Sequence, residues 1–119
     1  MKKEKLKLIL SATPLEFCFS LRKNFFITLM VTNCDNLIIN PELHLTKLMI
    51  NGKESFSWME AVGNGLRDSN WFSLPPGETT SMSWSTMGDQ LFPAPGEYIL
   101  QLQLINIKSE QIKIIVLKD

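Results

Sequence analysis

Two cysteines, Cys18 and Cys34, and a single histidine, His44, are the residues from which nucleophilic or metal chemistry would have to be built. A thiol– or hydroxyl–imidazole system needs the histidine beside its nucleophile and an acid to orient it. His44 is flanked by Leu43 and Leu45 in a stretch that reads as strand, and no nucleophile-elbow sequence is present. A structural strand histidine fits that setting better than a catalytic base. A zinc site needs more ligands, at a recognised spacing, than these side chains supply. Phe17 and Phe19, Met30 and Val31 give the cysteines the surroundings of packed strands, so free, buried thiols are expected rather than a disulfide.

Carboxylates offer little more. Glu78 and Glu97 each follow a Pro-Gly turn, where a carboxylate sits in solvent as a strand begins, and Glu60, Asp68 and Asp89 fall in loops. No pair is held close enough by spacing for acid–base work. Gly63-Asn64-Gly65 is glycine-rich but lacks the Gly-Lys-Ser/Thr ending and the strand–helix context of a phosphate loop. The residues therefore point to no enzyme and no cofactor. Aromatics near loops suit a protein partner instead. Trp58 and Trp84 read as core. Trp71 and Phe72 are adjacent on a short strand and must face opposite ways, so one of them is free to join a surface patch. Leu91 and Phe92, in the connection at 86–95, are candidates for such a patch too, and Leu66-Arg67-Asp68 is the loop segment best suited to enter a protease cleft.

The whole chain agrees with a binding role more than a catalytic one. Its 119 residues suit one domain with one core. Hydrophobic residues make up 45% and charged residues 20%, the balance of a soluble globular protein. Twelve basic residues cancel twelve acidic ones, leaving no field to gather nucleic acid or an anionic membrane surface. Lys5 and Lys7 interrupt the first apolar run with period two, a strand pattern rather than a secretion signal, which makes the cytoplasm the expected location.

Period two recurs along the chain. Leu6, Leu8 and Leu10 share a face, as do Phe25, Ile27, Leu29 and Val31, and then Tyr98, Leu100, Leu102 and Leu104. Asn33-Cys34-Asp35-Asn36 is an Asx-rich turn, Asn51-Gly52 is the strongest short hairpin signal, and Pro76-Gly77 fits a type II turn. Short strands are expected at 37–39, on the return from Asn51-Gly52 through Phe56 and Trp58, and at 71–74. Long loops are expected at 59–70 and 86–95, with no helix. About nine strands punctuated this way predict an all-β, antiparallel two-sheet sandwich of immunoglobulin or fibronectin type, with a closed barrel as runner-up.

Val31-Thr32-Asn33-Cys34-Asp35-Asn36 resembles the opening of bacterial immunoglobulin-like modules. Together with Leu74-Pro75-Pro76-Gly77-Glu78-Thr79, Trp84 and Pro95-Gly96-Glu97-Tyr98, it is similar to the Bacillus-type intracellular proteinase inhibitor family over roughly residues 25–104. Members of that family are small β-sandwich domains, and the resemblance implies protease inhibition. The chain departs from the family's pattern at 43–50 and in its middle loop, so no inhibitory residue is carried over. The resulting expectation is a non-catalytic protein-binding module acting through its long loops on another protein, a protease in the inhibitor reading. The alternative is a structural or accessory domain that mediates assembly.

Overall fold

Alternation at Leu6, Leu8 and Leu10 and at Ile27, Leu29 and Val31 builds two strands whose inner faces are buried, β1 (Leu6–Thr13) and β3 (Phe26–Asn33). The computed structural model describes residues 5–62, 70–85 and 87–119. Its remaining strands are β2 (Glu16–Cys18), β4 (Lys47–Ile50), β5 (Lys53–Glu54), β6 (Thr79–Trp84), β7 (Gly96–Leu104), β8 (Ile107–Lys108) and β9 (Ile112–Leu117). They form two sheets, one ordered β1-β3-β6 and the other β2-β9-β7-β4-β5, with β8 also on β7. Phe25, Ile27, Leu29 and Val31 meet Leu48, Leu100, Leu102, Ile114 and Val116 in one hydrophobic core between the sheets. The two-sheet β arrangement expected from the turns is present. Among the described residues no helix is long and apolar enough to cross a membrane.

Turn chemistry sets the registers. Asn51 and Gly52 both take positive φ, 52° and 82°, as a type I′ hairpin requires. The Asn51 side chain also accepts from the Ile99 N–H at 2.8 Å, extending the β4–β7 ladder by one rung. Pro14, with no N–H to donate, interrupts the edge strand, and the chain passes from β1 in one sheet to β2 in the other. There β2 runs parallel to β9, the one parallel pairing in the described sheets.

Four expectations are corrected. The return strand after Asn51-Gly52 stops at Glu54, and Phe56–Ala61 is a short helix, α1, capped by Ser55 Oγ, which accepts from the Trp58 N–H. α1 buries Trp58 against Trp84, with ring centroids 4.5 Å apart, while the Trp84 indole donates to the Ala61 carbonyl. A single helical turn also forms at Gly88–Leu91, α2, inside an expected loop. The strand that alternation at Phe17, Phe19 and Leu21 predicts over 16–21 ends at Cys18, and Phe19–Asn24 is 3-10 helix. The strands expected at 37–39 and 71–74 shrink to one bridge, Ile39 with Leu74.

That bridge depends on Asn33, buried at the end of β3. Its side-chain amide donates to the Leu37 and Leu74 carbonyls, each at 2.8 Å, and its Oδ1 accepts from the Asp35 N–H at 2.8 Å. Its backbone bonds Glu78 and Gly77, anchoring the Pro76-Gly77 turn. One residue thus ties the segment after β3 to the approach to β6. An aspartate at 33 would aim carboxylate oxygens at two carbonyls and lose both donors. Asn33→Asp is expected to cost more than about 2 kcal/mol of unfolding free energy, read as a lowered urea midpoint at unchanged slope; a loss below about 0.5 kcal/mol would refute the bonding account.

Candidate functional site

The described members of the expected partner-binding set, Trp71, Phe72, Leu91 and Phe92, do not come together as a surface. Trp71, Leu91 and Phe92 are buried in the core, and Phe72 alone of the described candidates is exposed. Leu66, Arg67 and Asp68 lie outside the described residues. Phe92 packs edge-on to Phe25 and Tyr98, each at 4.9 Å, and Phe17 closes the cluster. Arg22 locks α2 above it: its guanidinium stacks on the Phe19 ring at 3.6 Å and donates to the carbonyls of Phe19 and Phe92 at 3.0 Å. A Cβ on Gly88 would lie 1.8 Å from the Arg22 carbonyl oxygen, so only glycine lets α2 approach this closely. The 87–92 segment is packing, not display.

Candidates for chemistry are likewise dispersed. Cys18 ends β2, whereas Cys34 follows β3 at the other end of the sandwich; both thiols are free and half-buried rather than buried. His44 is exposed in a 3-10 turn, Leu43–Leu45, not a strand. Among the described residues no three His, Cys, Asp or Glu side chains gather as a metal site would need.

The site that the fold does build lies where β3 and β7 end and β1 begins. A groove of about 400 Å³ opens there, with Leu6, Ile39, Leu104 and Ile107 along it and Lys5, Asn40, Glu42, Ile105 and Asn106 at its rim. Its walls come from three parts of the chain. The Lys5 carbonyl accepts from the Cys34 N–H at 2.8 Å, fixing β1 to the segment after β3. The Ile39–Leu74 bridge holds the second wall. The third is the β7–β8 hairpin, shaped by a break in the ladder at Ser109, whose buried hydroxyl accepts from the Leu102 N–H at 2.8 Å in place of a backbone carbonyl.

Backbone strain gathers at this groove. Besides Asn51, the described residues other than glycine with positive φ are Glu42 at 53° and Ile105 at 55°, and both line it. Asn40 Oδ1 accepts from the Glu42 N–H and supports the first. Ile105 has no such support: it is a β-branched residue at the first corner of a two-residue hairpin, where glycine is normal. It is 74% exposed, Leu45, which shares a second hollow with it, is 47% exposed, and Leu37 and Ile38, which lead into the lining residue Ile39, are 67% and 66% exposed. Leu45 and Ile105 also flank a smaller hollow with Lys47 and Gln103, on the other side of the hairpin tip's side chain. Large apolar side chains are exposed elsewhere too, at Phe56, Met59, Phe72 and around β2. The groove end differs in joining exposed apolar residues to concavity and to strained backbone, a combination typical of ligand clamps.

Sequence reading placed Ile105 at the end of a strand and so missed the corner it occupies. The signal available was Ile105-Asn106 between Leu104 and Ile107, a turn with the wrong residue type in it. Comparisons with protein families, curated proteins and solved structures found no match.

Replacing Ile105 by glycine relieves the strained φ, worth about 1–3 kcal/mol, against a chain-entropy loss of about 0.5–1 kcal/mol. Ile105→Gly is therefore expected to raise the thermal midpoint by a few degrees. A lower midpoint would mean that Ile105 contributes to folding and that its strain is not held for another purpose.

Proposed function

We propose that this protein is a non-catalytic, immunoglobulin-like binding module that engages another protein through the groove end of its sandwich. The exposed apolar rim around the strained Ile105 hairpin carries this reading, because that residue costs folding energy and returns almost no burial.

The immunoglobulin-like part rests on strand order and on one corner. β3 beside β6, facing β9-β7-β4, follows the B–E and G–F–C neighbours of such sandwiches. Tyr98 near the start of β7 donates its hydroxyl to the Ala94 carbonyl at 2.6 Å, in the manner of a tyrosine corner. The tryptophan usual on the third strand is absent from β4, and Trp58 of α1 supplies comparable bulk between the sheets. Protease inhibition rests on the family resemblance alone. Among the described residues no observation favours it over general protein binding.

A photo-crosslinking amino acid placed at 105, compared with one at the exposed but distant Phe56, tests the binding face in the living cell. The expected result is a discrete protein adduct from position 105 that is absent from position 56. Equal adducts from both positions, or none from 105, would overturn the reading.

A further inference from the structure

The groove end has the ingredients of a surface complementary to itself. It carries a projecting apolar knob, Ile105, beside an apolar hollow running from Leu6 to Ile39, and its rim holds one cation, Lys5, and one anion, Glu42. The ion pairs of the described residues join Arg22 to Asp89 and Lys113 to Glu97, so neither rim charge is taken by another described side chain. An isologous contact needs a knob, a hollow and both signs of charge on one face, and this face carries all of them. The chain's zero net charge sets no long-range repulsion against that approach.

We propose that the occupant of this groove is a second copy of the same chain. The dimer is twofold, with Ile105 of each protomer seated in the groove of the other and Lys5 of each paired with the Glu42 of its mate. The inference rests on the groove end being the binding face and adds the identity of what it binds. A face built from a few apolar side chains and one repeated ion pair is small beside the roughly 800 Å² per partner of standard interfaces. A reversible dimer with a micromolar dissociation constant follows, its ion-pair part weakened by salt.

Sedimentation equilibrium of the purified full chain, from micromolar to near-millimolar concentration, tests this directly. Wild type is expected to pass from monomer to dimer, and Ile105→Asp to remain monomeric while its circular dichroism stays that of the folded protein. Lys5→Glu and Glu42→Lys are each expected to weaken association about tenfold, and the two together to restore it, because exchanging both charges re-forms the pair in reverse. If Ile105→Asp fails to fold, the charge exchange still decides. A wild type that is monomeric throughout overturns the proposal, and so does a double variant as weak as either single one. A monomer whose position 105 crosslinks in the cell to a protein of another mass overturns self-pairing alone and leaves the binding face standing.

Discussion

The buried side chain of Asn33 is the interaction on which the rest of this end of the molecule depends. A β-strand that ends at the rim of a sandwich leaves backbone groups facing an interior with little water, and each unpaired one costs about 1–3 kcal/mol. Asn33 meets that demand for three segments together: its own turn through Asp35, the Leu37 carbonyl, and the Leu74 carbonyl far along the chain. Once those bonds are made, Ile39 is placed to bridge Leu74, and Pro41 and Leu43 are buried behind it. The wall of the groove is thus a consequence of polar satisfaction in the core.

Against that hydrogen-bonded wall stands a hairpin that breaks a local rule. Most of the chain is locally consistent: Asn-Gly where positive φ is needed twice, Gly77 at 77° after Pro76, glycine at 88 where a backbone carbonyl leaves no room for a Cβ. Ile105 is the exception, with a β-branched side chain at a glycine corner and outside the core. Hydrogen bonding around Ser109 forces the corner to fall there, since its hydroxyl takes the Leu102 N–H and fixes how many residues the hairpin spans. The geometry is set by the buried serine, and the residue type at the tip is left to meet another demand.

The architecture was largely legible from alternation, because burial on one face of a strand has a period that no other element imitates over six or more residues. β1, β3 and β7 were found in this way with their inner faces right, and the turns at 51–52 and 76–77 with them. The helices were not legible, since six residues in α1 and four in α2 are too few to display a helical period, and Phe56 and Trp58 imitated a strand. Leu91 and Phe92 looked like surface candidates because they are large apolar residues in a stretch, 86–95, that reads as a long loop. At the end of a one-turn helix clamped between Arg22 and the aromatic cluster, both point inward. The groove was invisible for a different reason: its walls meet through bonds between residues some forty positions apart, such as Asn33 to Leu74, and no local pattern records them.

The central claim, that the end of the sandwich built on Asn33 and the Ile105 hairpin is where two copies of this chain meet, predicts a footprint. Backbone amide hydrogen exchange, compared between dilute and concentrated protein, reads that footprint without any substitution. Exchange is expected to slow at 37–45 and 104–107 on concentration and to stay the same at 56–59 and 89–92. Slowing confined to 56–59 or 89–92, or no slowing at any of these segments, would contradict the account.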